Sequence, residues 1–176
     1  TEMREKSLSF EAALKQAQAL GYAEADPTFD IQGIDAAHKC SILASIAFGI
    51  PMPFAKAYIE GIVHLQAVDI EFAKQLGYRI KLLGIAKKTA HGIELRVHPS
   101  LVSKESLIAN VEGAMNAVMV KADAVGTTLY YGKGAGGEPT ASAVIADLID
   151  IARLSTADAA CRVPYLAYQP SAIQDL

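Results

Sequence analysis

The sequence predicts an α+β fold, a mixed β-sheet with helices packed on one face. Three observations carry this expectation. Up to Gly77 the apolar residues recur at helical spacing, with polar or Pro-containing breaks between runs. At Tyr78 the period drops to two, and two strand pairs follow, separated by a short helical stretch. Helices first, then strand pairs bracketing a helix, is an α+β order with at least four strands.

The elements follow from local chemistry. Ser9 is placed to cap a helix over about Phe10–Leu20, and Gly21 stands at its C-terminal stop. The polar loop "YAEADPTFDIQ" comes next. A second helix starts near Ile34; Ile34, Ala37, Leu43 and Phe48, with small residues between them, make it apolar on most faces, so it is expected to be buried. "IPMPF" ends it, and "AKAYIEGIVHLQAVDIEFAKQLG" reads as one or two further helices closing at Gly77. "YRIKLLGIA" and "IELRVHP" are strand-like, with "KKTAHG" as a hairpin connection. A short helix near Ser106–Val111 leads to "AVMVKA" and "TTLYYG", joined across "DAVG". The loop "GKGAGGEP" opens a last helix over about Pro139–Arg153, and residues 155–176 are expected to form an extended tail.

Composition narrows the function classes. The chain has 176 residues, enough for one domain with a sizeable core; 52% are hydrophobic and 20% charged, as in ordinary globular proteins. A net charge of −3, with no basic stripe and no interleaved aromatics, points to no nucleic-acid partner. The uncharged run from Cys40 to Ala55 is interrupted by Pro51 and Pro53 and is too short to span a bilayer, so no membrane partner is expected. "TEMREKSLSF" has no apolar segment of signal-peptide type behind its charges. Cys40 and Cys161 are too few for a disulfide framework, and Cys40 in its apolar run reads as a buried thiol, which favours a cytoplasmic setting. His38, His64, His91 and His98 make no metal-binding pattern with these cysteines, so no metal site is expected. Thr1 is not an initiator methionine, which gives the expectation of a piece of a longer protein.

The chemistry-bearing stretch is "EADPTFDIQGIDAAHK". Asp35 and Lys39 are four apart, with the acid N-terminal to the base, so on a helix their side chains meet in the better orientation. Asp30 falls just before the helix, where a carboxylate can cap backbone N–H groups or face a ligand. Glu24 lies further out in the loop. Apolar surroundings would disfavour the charged form of Lys39 and Asp35 would favour it. Such a lysine can serve as a proton donor or acceptor or as half of a structural ion pair, the commoner use of an i, i+4 pair on a helix, and the residues alone leave both readings open.

"GKGAGG", residues 132–137, has the G-x-G-x-x-G spacing between a strand and a helix. No strand follows that helix to complete a βαβ unit, which argues against a self-contained dinucleotide fold. A turn that needs close backbone approach and an anion site at a helix start remain as two readings.

"GYAEADPTFDIQGIDAAHK" resembles the signature of the homoserine dehydrogenases: a Gly-aromatic pair, Asp-Pro, then Asp-aliphatic-x-Gly-x-Asp-x-x-x-Lys. Gly21, Tyr22, Asp26, Pro27, Asp30, Ile31, Gly33, Asp35 and Lys39 all fit. "IKLLGIA", "HPSLVS", "NVEGAMNAV" and "GKGAGGEPTASAVIADL" resemble successive blocks of that family's catalytic domain, in wording closer to the monofunctional enzymes than to those fused to aspartokinase. The resemblance implies an NAD(P)-dependent enzyme that interconverts L-homoserine and L-aspartate 4-semialdehyde in the biosynthesis of threonine and methionine. It implies Lys39 as the acid/base, Glu24, Asp30 and Asp35 around the substrate, and Gly134, Ala135 and Gly136 on the cofactor side. It implies a catalytic and dimerisation domain over residues 1–154, like the C-terminal catalytic domain of the glyceraldehyde-3-phosphate dehydrogenase-like group, and a homodimer formed through its sheet. NADP or NAD would be held mainly by an N-terminal Rossmann domain that this chain does not contain, and a C-terminal ACT domain, carried by many members, is likewise outside it. The 176 residues alone are therefore expected not to turn over. A non-catalytic anion-binding or dimerisation module, with Asp35–Lys39 as a structural pair, is the alternative.

Overall fold

The structure is a computed structural model that describes residues 2–6, 8–23, 25–52, 54–134 and 136–156. These fall into two compact units that divide after Ala109.

The first unit begins with α1 (Glu2–Glu5) and α2 (Phe10–Ala19). Ser9 Oγ accepts from the Ala12 N–H at 3.2 Å, so the expected cap is made, and Gly21 takes φ +72 after the helix. The short α3 (Thr28–Ile31) is followed by α4 (Ile34–Phe48). Glycines in the left-handed region, Gly33 (φ +79) and Gly49 (φ +63), bound α4 at its two ends. The segment expected to be one or two helices is instead a 3₁₀ turn (Phe54–Lys56), a two-residue strand β1 (Tyr58–Ile59) and α5 (Ala67–Gln75).

A long hairpin follows, β2 (Tyr78–Thr89) and β3 (Gly92–Ser103). Its strands pair from Tyr78↔Ser103 to Thr89↔Gly92, leaving a two-residue connection, Ala90-His91. Both strands are longer, and the connection shorter, than their sequence runs indicate. β1 lies parallel to β3 (Tyr58↔Arg96, Ile59↔Val97), so the sheet is mixed, in the order β1-β3-β2. Strict alternation buries Ile93, Leu95 and Val97 on one face of β3. α4 packs on β2 and β3, and its Ala37, Cys40 and Ala44 join those three residues and Ile50 in the core.

α4 buries one face only. Ala37, Cys40, Ser41, Ala44 and Ser45 point inward, while Ile42, Leu43 and Ile46 are exposed, against the expectation of a helix buried all round. The buried face is the small-residue face, which lets the helix lie close to the sheet. A Cβ on Gly84 of β2 would come 3.1 Å from Cys40 Cβ, so the contact is already as near as a side-chain-free strand position allows.

The two units divide within a 3₁₀ turn (Leu107–Asn110), found where a short helix was expected. The second is a hairpin of β4 (Met115–Ala122) and β5 (Gly126–Lys133), followed by α6 (Gly137–Thr156). The hairpin exposes apolar side chains on both faces: Val118, Val120 and Tyr130 on one, Met119 and Tyr131 on the other. Along α6, Val144, Ile145, Leu148 and Ile149 are exposed as well.

Candidate functional site

Asp30, Asp35 and Lys39 lie on one short stretch of the first unit, and the local chain explains how they are presented. Asp26 Oδ1 accepts from the Thr28 hydroxyl at 2.6 Å and from the Thr28 N–H at 3.1 Å, which shapes the entry into α3. The hydroxyl, then the backbone N–H, lower the Asp26 pKa below its ordinary value. α3 carries Asp30, half-buried. Gly33, with φ +79, then turns the chain into α4, which places Asp35 in its first turn and Lys39 one turn later.

Lys39 Nζ stands 2.6 Å from Asp35 Oδ2, in the i, i+4 arrangement that the spacing requires. The Lys39 side chain is 69% exposed and that of Asp35 39%. The apolar enclosure expected around Lys39 is therefore not supplied by the described residues. An exposed pair of this kind contributes only about 0.3–0.5 kcal/mol to a helix. It biases where the ammonium sits and adds little to the hold on the fold.

Two glycines fasten this stretch to the sheet. A Cβ on Gly33 would meet Val97 Cγ1 at 3.2 Å, and a Cβ on Gly61 would overlap the Ile31 carbonyl oxygen and the Gln32 backbone. Across this close approach the Ile62 N–H donates to the Ile31 carbonyl and the Glu60 N–H donates to the Val97 carbonyl, both at 2.7 Å. The α3–α4 junction is thus bonded to the segment after β1, and that segment to β3. Beside it the Tyr58 hydroxyl donates to Glu60 Oε2 at 3.0 Å, and that bond, with the carboxylate's charge, raises the Tyr58 pKa.

In the sequence His38 is a histidine outside any metal-binding pattern. Its ring stacks on Phe54 (centroids 4.0 Å apart, planes at 5°) and on Phe29 (5.6 Å, 13°). Phe29 precedes Asp30 and His38 precedes Lys39. Aromatic residues flanking both motif positions were the available sequence signal. The role of Gly61 had no such signal, because its partners Ile31 and Gln32 come from a distant part of the chain.

Glu24 and Ala135 lie outside the described residues. Gly134 and Gly136 belong to the second unit, at the passage from β5 into α6. Gly136 has φ +124, so its backbone favours glycine, whereas a Cβ on Gly134 would meet only the side-chain amide of Asn116, which can turn away. Gly134, Gly136 and the first α6 residues are exposed, which leaves their backbone open to a ligand. Among the described residues no cluster of His, Cys, Asp and Glu is placed to hold a metal ion, and no helix is long and apolar enough to cross a membrane.

Comparison with known proteins bears on this geometry. The homoserine dehydrogenase family model matches residues 1–149. The homoserine dehydrogenase of Pseudomonas aeruginosa is 64% identical over 175 residues, which is 99% of this chain and 40% of that protein. A crystal structure of the homoserine dehydrogenase of Thiobacillus denitrificans matches with a TM-score of 0.88 and 66% identity, over 99% of this chain and 40% of that one. A hyperthermophilic archaeal homoserine dehydrogenase mutant in complex with NADPH matches more distantly, with a TM-score of 0.62 and 30% identity, over 82% of this chain and 40% of that one. The chain thus spans about 40% of the length of these relatives. With the signature stretch carried on the α3–α4 junction, and with matches of this extent, the chain belongs to the homoserine dehydrogenase family.

Proposed function

We propose that this chain is the substrate-side part of an NAD(P)-dependent homoserine dehydrogenase, which interconverts L-homoserine and L-aspartate 4-semialdehyde. The observation that carries the reading is the Lys39–Asp35 contact of 2.6 Å at the exposed head of α4, on the family's signature. Oxidising an alcohol by hydride loss requires the hydroxyl proton to leave, and a positioned amine lowers that barrier by accepting it. Lys39 has that role, and in the reverse direction it returns the proton to the carbonyl oxygen. Asp35 holds Nζ in place. Glu24 binds the substrate's amino group and Asp30 lines the same site, charge-assisted contacts suited to an amino-acid cation.

The nicotinamide cofactor, when bound, accepts the hydride from the substrate carbon. The residues of this chain that would meet it are Gly134, Ala135 and Gly136. The exposed backbone around Gly134 and the positive-φ Gly136 fits such an approach. The archaeal relative is in complex with NADPH, which supports a nicotinamide cofactor, NADP or NAD.

The rest of the proposal concerns assembly and setting. The mixed sheet with α4 on it supports an architecture of the glyceraldehyde-3-phosphate dehydrogenase-like group, and residues 1–154 as a catalytic and dimerisation domain. A two-stranded hairpin with apolar groups on both faces needs cover, which supports a homodimer formed through the sheet. The setting is cytoplasmic, as befits an aspartate-family biosynthetic enzyme.

The test restores the full-length protein and follows NAD(P)H formation from L-homoserine, comparing the parent with Lys39→Ala. Loss of roughly two or more decades of rate, on the scale of a missing acid–base group, supports the assignment. An active parent whose Lys39→Ala variant keeps its rate would move the proton chemistry elsewhere.

A further inference from the structure

Asp30 sits on α3, whereas Asp35 and Lys39 sit on α4, so their relative placement depends on how the two helices are held against each other. α3 has only four residues, too few to hold a fixed direction by its own hydrogen bonds. Side chains of α3 and α4 meet where the His38 ring stacks on Phe29, and the same ring meets Phe54 in the 3₁₀ turn that follows α4. Phe29 is the neighbour of Asp30, and His38 is the neighbour of Lys39. A flat ring in face contact with two others restricts both sliding and tilting, because aromatic pairs lose attraction as their planes turn.

We infer that His38 is a positioning residue: its ring, stacked on Phe29 and Phe54, sets the placement of Asp30 relative to Lys39 and so governs how tightly the amino-acid substrate is held. The inference rests on the substrate reading given above. His38 acts through the shape of its ring and takes no proton in the reaction. Its place one residue before Lys39 puts it about 100° around the helix, on another face from the ammonium.

The test uses the full-length protein with His38→Ala and His38→Phe. Two ring contacts of ordinary strength together correspond to about a decade in an equilibrium. His38→Ala is therefore expected to raise KM for L-homoserine roughly tenfold, with kcat and its pH profile kept. His38→Phe restores KM, because it restores the stack. A variant that merely misfolds in part would lower apparent kcat and leave KM alone. An unchanged KM in His38→Ala overturns the inference, and so does a His38→Phe variant as impaired as His38→Ala, which would assign the effect to a ring nitrogen.

Hydrogen exchange of the Thr28–Gly33 backbone is read on the same proteins without substrate. Faster exchange in His38→Ala, reversed in His38→Phe, supports the positioning role, and unchanged exchange overturns it. If the parent does not oxidise L-homoserine, the functional reading fails on its own, and exchange still decides whether His38 orders this segment.

Discussion

Replacing Gly61 with alanine adds one methyl group where the structure has no room for it. The new Cβ would sit within 2.5 Å of the Ile31 carbonyl oxygen and the Gln32 Cα, both backbone atoms that no rotamer change can move. Gly61 is not among the positive-φ glycines, so its own backbone suits alanine and the whole penalty comes from contact. Relief requires the α3–α4 junction to withdraw from the segment after β1 by roughly 1 Å to reach ordinary contact. A shift of that size breaks the 2.7 Å bond from the Ile62 N–H to the Ile31 carbonyl. Overpacking costs about 1–3 kcal/mol and the lost bond about 1 kcal/mol. Against these stands about 0.4–1 kcal/mol gained because alanine restricts the unfolded chain. The net is a local loss of about 2 kcal/mol, roughly 30-fold in the protection of the Ile62 amide against hydrogen exchange. The control is Gly132→Ala in β5, where a Cβ meets nothing within 4 Å and no such loss is expected. Exchange at Ile62 in full-length Gly61→Ala within a factor of two of the parent would refute the reasoning.

Two further outcomes rest on equally local features. Ser9→Ala removes the acceptor of the Ala12 N–H and is expected to cost α2 about 1 kcal/mol, whereas Ser9→Asp retains the cap; exchange at Ala12 separates the two. Burial raises the Cys40 thiol above its ordinary value of 9.0, so the folded state keeps a proton that the unfolded chain gives up sooner. That contribution is whole below the unfolded pKa and is lost as pH rises through the folded one, so Tm should fall as pH rises past 9.0, and less steeply in Cys40→Ala. Equal slopes in the two proteins would contradict the thiol's part in it.

What the sequence revealed was whatever local chemistry encodes. The Ser9 cap, the Asp35–Lys39 spacing and the alternation of Ile93, Leu95 and Val97 each need only a few neighbouring residues to be read, and each appears as expected. β1 has no signature in the sequence because two residues have no period; Tyr58 and Ile59 are a strand only because β3 lies alongside them. The exposed Ile42, Leu43 and Ile46 show a second limit. An apolar helix face implies a cover, but composition does not tell whether that cover lies within the same stretch of chain. The site was legible as a motif and as one ion pair. Its attachment to the sheet through Gly61, and the rings around His38, depend on contacts between segments far apart in sequence.

The pairing of β1 with β3 also sets an order of events in time. β2 and β3 are joined by a two-residue connection and can zip as soon as the chain collapses locally. Tyr58 must find Arg96 across α5 and the whole of β2, a much longer loop to close, and the α3–α4 junction is bonded to the segment that follows Tyr58. In a refolding experiment the hairpin is therefore the early structure of the first unit, and the surroundings of Asp30 and Lys39 are finished after it. Ordering of the Asp30–Lys39 stretch would then mark the completion of the first unit, later than any signal from its strands.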